Sequence, residues 1–295
     1  MEEHFPTPKA RQELLTELSR HIVAFAWSDK RCEPKPGRTV TEQYDVQAFL
    51  ATAFVISIRE HWILLTAGHV LKQLKKRLSA GRRLLKTKLI DMAPEENHFP
   101  SIPFDFKPEM SNFIDDRETN LDFGVIPLSQ MYVELLKAGG TVPISESMVP
   151  EKPGRADGYL MAGLPRQARS IDVSSMHGGG LVRYDIGATV LPVYPTDDVP
   201  EVLLKGVPRF YARVPIGTGD EENGLQRLTD IDGMSGSPIF AYTIDESGKH
   251  SYALVALQSG WDGKARVLAA NFVAPLTSIL GSLIDQAKPK LAAIN

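Results

Sequence analysis

One cysteine, Cys32, is all that 295 residues contain, so no disulfide can close within the chain, and a small oxidised scaffold stapled by bridges is excluded. No stretch approaches the roughly 18 apolar residues of a membrane span. The residues Met1 to Pro6 carry no basic segment followed by an apolar one. Neither a membrane anchor nor a secretory leader is therefore expected, and the expected setting is the cytoplasm. Charge of neither sign dominates: 33 Lys and Arg against 36 Asp and Glu leave a formal charge of -3, which gives no global pull toward nucleic acid or an anionic membrane. The seven histidines fall at no metal-ligand spacing and a lone cysteine offers no cluster, so no metal and no cofactor is expected. No short repeat is present, which argues against solenoids and propellers.

What remains is a globular chain rich in short apolar runs. Residues 8 to 20 carry Ala10, Leu14, Leu15 and Leu18 between charges at helical spacing and predict a short amphipathic helix. A strand follows over 21 to 27, and the Pro- and Gly-bearing stretch from Ser28 to Val46 reads as a loop. Phe49 to Ile58 and Trp62 to Thr66 read as two strands joined by the polar turn Arg59-Glu60-His61. Further strands are expected at Leu121 to Leu128, Gly158 to Gly163, Leu181 to Ile186, Thr189 to Val193, Phe210 to Val214, Ile239 to Thr243, Tyr252 to Gln258 and Arg266 to Val273. Helices are expected at Met131 to Lys137 and Pro275 to Ile284, while Met92 to Asn120 reads as irregular.

One segment is charged on one side only. Between His61 and Ile90 there is no acid, while Lys72, Lys75, Lys76, Arg77, Arg82, Arg83, Lys86 and Lys88 crowd residues 72 to 88. This could be a docking patch for an acidic partner. The preferred reading is the solvated face of a helix, since Leu71, Leu74 and Leu78 recur at spacings of three and four. Aromatic residues that would stack on bases are missing from the run, so nucleic acid is not expected.

Three short motifs carry chemistry. Thr66-Ala67-Gly68-His69-Val70 places a histidine just after an apolar strand. Leu121-Asp122-Phe123-Gly124-Val125 opens another strand with a carboxylate. Gly233-Met234-Ser235-Gly236-Ser237-Pro238 sets a serine in a turn that needs glycine's backbone freedom. A serine hydroxyl becomes a nucleophile when a base takes its proton and a third group orients that base. The amides of Gly233 and Ser235 could both point at a developing oxyanion. Read singly, His69 is a core histidine, Asp122 a strand-edge residue and the serine stretch an ordinary turn. It is their order, with separations of 53 and 113 residues, that makes a set.

These three motifs resemble those of chymotrypsin-like (trypsin-fold) serine peptidases, in a disulfide-free form of bacterial type. The likeness extends over roughly residues 20 to 285, and Ala256-Leu257-Gln258-Ser259-Gly260 resembles the strand that lines the specificity pocket and pairs with substrate backbone. The resemblance implies an all-β fold of two packed antiparallel β-barrels, here with an N-terminal and a C-terminal helix. Residues 1–20 would be an extension, 21–145 the barrel holding the histidine and aspartate, and 146–295 the barrel holding the serine. It implies His69 as general base, Asp122 as its orienting acid, Ser235 as nucleophile and the amides of Gly233 and Ser235 as oxyanion hole. The rate would then rise with pH as His69 loses its proton at about 6 to 7.

Two positions depart from the pattern. Met234 stands where digestive members carry an aspartate that pairs with a new amino terminus, so activation by that ion pair is not expected. Gly260 stands where many members have tryptophan, with Trp261 one place on. By offset from the serine, Thr229 or Asp230 would lie at the floor of the S1 pocket, with Ser259, Gly260 and Trp261 on a wall. An acid at that floor would favour Lys or Arg at P1; alternatively Asp230 and Asp232 are exposed loop acids. A protein or peptide partner is implied either way, because the alternative function is a trypsin-fold module that binds peptides without cutting them. An α/β-hydrolase esterase is disfavoured: its Gly-x-Ser-x-Gly elbow would need glycine where Ser237 stands, and only His250 follows the serine.

Overall fold

The computed structural model describes residues 8–31, 46–93, 101–152, 154–172, 183–215 and 228–292. Cys32, most of the expected Ser28 to Val46 loop and the first two residues of the expected Leu181 to Ile186 strand lie outside the described residues. In the described part four α-helices frame an antiparallel β structure: α1 (Pro8–Ser19), α2 (Gly68–Ser79), α3 (Gln130–Ala138) and α4 (Ala274–Ala292). The first half contains β1 (Ile22–Arg31), β2 (Gln47–Ile58), β3 (His61–Thr66), β4 (Arg82–Asp91), β5 (Ser101–Pro103), β6 (Asn112–Asp116), β7 (Leu121–Pro127) and the two-residue β8 (Ile144–Ser145). They form one sheet in the order β5-β4-β1-β2-β3-β7-β6, with β8 joined to β2. The second half contains β9 (Gly158–Gly163), β10 (Arg169–Asp172), β11 (Arg183–Ile186), β12 (Thr189–Pro195), β13 (Phe210–Arg213), β14 (Pro238–Ile244), β15 (His250–Asp262) and β16 (Val267–Phe272). Six of these close a barrel in the order β12-β13-β16-β15-β14-β9, and β10 with β11 makes a separate hairpin.

The expected all-β chain with a helix at each end is what the structure shows. Strands β1 and β2 are long and buried on both faces, as their near-continuous Ile, Val, Phe and Ala content requires. They pair over Ile22↔Phe54 to Asp29↔Gln47. The β2–β3 hairpin closes through Arg59 and Glu60, both at positive φ (49° and 68°), the backbone that a two-residue hairpin turn demands. Phe25, Phe54, Ile56, Leu64, Leu65 and Leu71 fill the first core, and Phe240, Leu254 and Leu160 of the second half join the same cluster. Each such large side chain contributes about 1.5–3 kcal/mol on burial. The second barrel has its own interior of Met161, Phe210, Met234, Ile239, Val255 and Leu268.

The terminal helices cross over. α1 packs on β9 and β12 of the second half, whereas α4 reaches back to β2 of the first. Arg59 in the β2–β3 turn pairs with Asp285 of α4 at 3.1 Å and with Glu146 at 2.7 Å.

Two expectations need correction. The basic segment 72–88 is not a single helix: α2 stops at Ser79, Gly81 turns the chain at φ 79°, and β4 starts at Arg82. Two of its charges turn inward, while Lys72, Lys76, Arg83 and Lys86 stay exposed. Arg77 and Arg82 both pair with Asp29, whose side chain has no exposed surface, and Lys72 pairs with Asp115 at 2.8 Å. The stretch Met92 to Asn120 is not wholly irregular, because β5 and β6 extend the sheet on either edge.

Candidate active site

His69 is the second residue of α2, and the local geometry explains why it sits there. β3 runs antiparallel to β7 with Thr66 opposite Gly124, and the chain then turns through Ala67 into α2, which lies across β6 and β7. Gly68 makes this close approach possible: a Cβ there would stand 2.0 Å from Ile114 O and 2.8 Å from Phe123 O. The helix can therefore drop onto the strand that carries Asp122.

Asp122, the second residue of β7, takes two hydrogen bonds from one residue. Its Oδ1 accepts the His69 backbone N–H at 2.8 Å, and its Oδ2 accepts Nδ1–H of the His69 ring at 2.7 Å. A carboxylate only accepts, so the ring proton is on Nδ1 and the neutral imidazole offers Nε2 as its base. The Asp122 side chain is 11 % exposed and that of His69 41 %, so the acid is enclosed while the base stays open to a substrate. Burial lowers the His69 pKa, but the Asp122 hydrogen bond and the charges of Asp122 and Asp115 outweigh it and leave it raised above the ordinary histidine value.

Asp122 is held from the other half of the molecule. Asn271 of β16, 1 % exposed, accepts the Asp122 N–H through Oδ1 at 3.1 Å and donates from Nδ2 to Asn120 O at 2.9 Å. Asn120, at φ 54°, in turn donates from its side chain to Lys205 O. Val207 N–H donates to Thr119 O at 2.9 Å. The turn that aims the carboxylate is pinned by second-half residues at each end.

The serine turn is built by glycines at φ 88° (Gly233) and 91° (Gly236). A Cβ on Gly236 would stand 2.7 Å from Thr66 Oγ1 and 2.9 Å from Ala67 N, so the turn is pressed against the segment leading into His69. Buried Thr52 of β2 holds the turn from below: its hydroxyl donates to Gly233 O at 3.1 Å and accepts Leu164 N–H at 3.1 Å, while its carbonyl accepts Thr66 Oγ1–H at 2.7 Å. The amides of Met234, Gly236 and Ser237 donate to Ile231 O, Gln258 O and Met234 O. Among the described residues, those of Gly233 and Ser235 donate to no acceptor. Ser235 itself is half-buried. Met234 points the other way, fully enclosed in the second barrel core.

The remaining expected residues separate into two groups. Thr229 and Asp230 are exposed. Thr229 N–H donates to Gln167 Oε1 at 2.9 Å, and Asp230 Oδ1 accepts the Asp232 N–H at 3.1 Å within its own loop. Ser259, Gly260 and Trp261 are half-buried on β15, where the register shifts between Gln258 and Gly260 opposite β16. Asn271 and Thr52 were not singled out from sequence. Their signal was present: each is a lone polar residue inside an apolar strand, Val-Leu-Ala-Ala-Asn-Phe and Phe-Leu-Ala-Thr-Ala-Phe, and a polar group buried there must find a partner.

No protein-family model matches the chain, and no curated protein sequence does either. Among solved structures, it aligns with the protease Anisep from Arthrobacter nicotinovorans at 12 % identity and a TM-score of 0.39, over 86 % of this chain and 90 % of that one. It aligns with Deg5 at 12 % identity and a TM-score of 0.41, over 94 % and 95 %. A catalytically inactive tobacco etch virus protease complexed with substrate aligns at 9 % identity and a TM-score of 0.39, over 87 % and 79 %.

Proposed function

We propose that this protein is a serine endopeptidase of the chymotrypsin-like type, its two β units at 21–145 and 146–295 flanking the site and residues 1–20 forming an extension. Ser235 attacks the scissile carbonyl while Nε2 of His69 takes the hydroxyl proton. Asp122 keeps Nδ1–H pointed at itself and stabilises the imidazolium that forms. The amides of Gly233 and Ser235 receive the negative charge on the carbonyl oxygen. His69 then returns the proton to the leaving amine, and water cleaves the acyl-enzyme by the same steps in reverse. The observation that carries this reading is the two-point grip of Asp122 on His69, met by a serine turn with two amides that have no internal acceptor. Peptide backbone would lie along Ser259 to Trp261, and the single cysteine suits a cytoplasmic setting.

Labelling with a fluorophosphonate probe tests the assignment. Wild-type protein should be modified at Ser235, and Ser235→Ala should be silent. Unlabelled wild type, or equal labelling of both, would leave a peptide-binding module without catalysis as the reading.

A further inference from the structure

Arg209 is the one lysine or arginine buried as a whole residue among the described residues, 9 % exposed. It stands just before β13, on the outer side of the second barrel. Its Nη2 donates to Leu203 O, and its guanidinium lies 5.7 Å from the centre of the Tyr211 ring. Its Nε is buried without an acceptor. Among the described residues no carboxylate pairs with it, whereas Arg59, Arg77, Arg82, Arg166 and Arg213 each have an aspartate or glutamate partner. A guanidinium stays charged at any working pH. Enclosing it without a counter-charge is unfavourable, and one carbonyl and one ring do not neutralise it.

Gly260, half-buried on β15, lies next to it. A Cβ on Gly260 would lie 3.5 Å from Arg209 Nη1 and 3.6 Å from Leu203, so the cation is directly behind the wall strand at the one residue that has no side chain to cover it. The same segment borders the catalytic acid, since Lys205 and Val207 bond to Asn120 and Thr119. Resting on the reading that substrate backbone crosses β15 at Ser259 to Trp261, we propose that Arg209 selects substrates carrying a glutamate or aspartate on the amino-terminal side of the scissile bond. The carboxylate reaches over Gly260 to Nη1, the guanidinium nitrogen nearest that opening, and supplies the missing counter-ion through a charge-assisted hydrogen bond.

Matched fluorogenic peptides, drawn from an unbiased library and differing only by Glu or Gln at P2, P3 or P4, test this. Wild-type kcat/KM should favour Glu over Gln at one of these positions by about 10- to 100-fold, the range for a hydrogen bond to a charged group, and Arg209→Met should bring that ratio to about one. Because a buried residue is altered, Gly260→Ala serves as the second variant: its methyl fits in ordinary contact beside Arg209 Nη1, covers the approach and should also remove the ratio. Equal cleavage of Glu and Gln peptides by wild type, or a preference that survives in both variants, overturns the proposal while Ser235 still labels with fluorophosphonate. Loss of labelling in wild type overturns the peptidase reading and this one with it.

Discussion

Asn271 shows how much the chemistry of the site depends on a residue that never meets substrate. It spends both ends of its amide on the turn that aims Asp122, so its removal frees the carboxylate to swing away from the His69 N–H and Nδ1–H. Asn271→Ala should lower kcat on the order of 10²-fold, the cost of a small misplacement of a catalytic group, with KM little changed. The pH profile separates this from simple loss of folding. In wild type the rate should rise with pH through an inflection above the ordinary histidine value of about 6.5, because Asp122 and Asp115 favour the protonated ring. In Asn271→Ala that inflection should move down; an unchanged inflection in a folded variant would show that Asn271 does not position the acid.

At the scale of elements, α2 and β4 are joined by a buried ion cluster. Asp29 of β1 has no exposed side-chain surface, and its two oxygens accept Nε–H and Nη2–H of Arg77 at 2.6 and 2.8 Å as well as Nε–H of Arg82. Arg77 also stacks over Phe49, 4.2 Å from its ring centre. Two of the eight charges that read in sequence as a cationic surface, Arg77 and Arg82, are therefore spent inside. Removing one member of such a cluster strands the others without charge compensation. Asp29→Ala should destabilise the protein by about 3–5 kcal/mol in urea unfolding, and a cost near zero would mean the cluster is solvated. The sequence shows the run of positive charge and the helical spacing of Leu71, Leu74 and Leu78. It does not show Asp29 as the partner, because 48 and 53 residues separate it from Arg77 and Arg82.

On the scale of the whole molecule, His21 ties the two halves together. Buried at 2 % exposure, it donates from Nδ1 to Val142 O at 2.7 Å, and its Nε2 lies 2.9 Å from the Tyr252 hydroxyl of β15. Burial lowers its pKa, the Val142 bond opposes this in part, and the charge of Arg20 lowers it further. The native state thus resists a proton that the unfolded chain accepts near pH 6.5. Stability from this residue is intact above that pH and is lost as pH falls through the unfolded value toward the lower folded one. His69 acts with the opposite sign, because its raised pKa contributes stability below about 6.5 that is lost as pH rises through the folded value. A comparison of wild type with His21→Gln cancels that second contribution. Wild type should lose more unfolding free energy than His21→Gln between pH 7 and pH 5, and parallel pH dependences would exclude His21 as the source.

The sequence by itself determined most of the strands and helices, β4, β5, β6, β8 and β10 excepted, and the three chemical motifs, because apolar periodicity and the backbone demands of a glycine turn are local properties. Gly158–Gly163 matches its expected bounds, and Thr66 to His69 and Gly233 to Pro238 stand out within a few residues of chain. Tertiary structure alone decided what grips them. The pairing of β3 with β7 sets His69 on Asp122, β16 brings Asn271 to the same acid, and Thr52 meets the serine turn from 181 residues away. It also decided which charges are partnered: Arg77 and Arg82 close on Asp29, while among the described residues no acid meets the enclosed Arg209. Such contacts follow from strand order and register, which place residues far apart in sequence within hydrogen-bond distance.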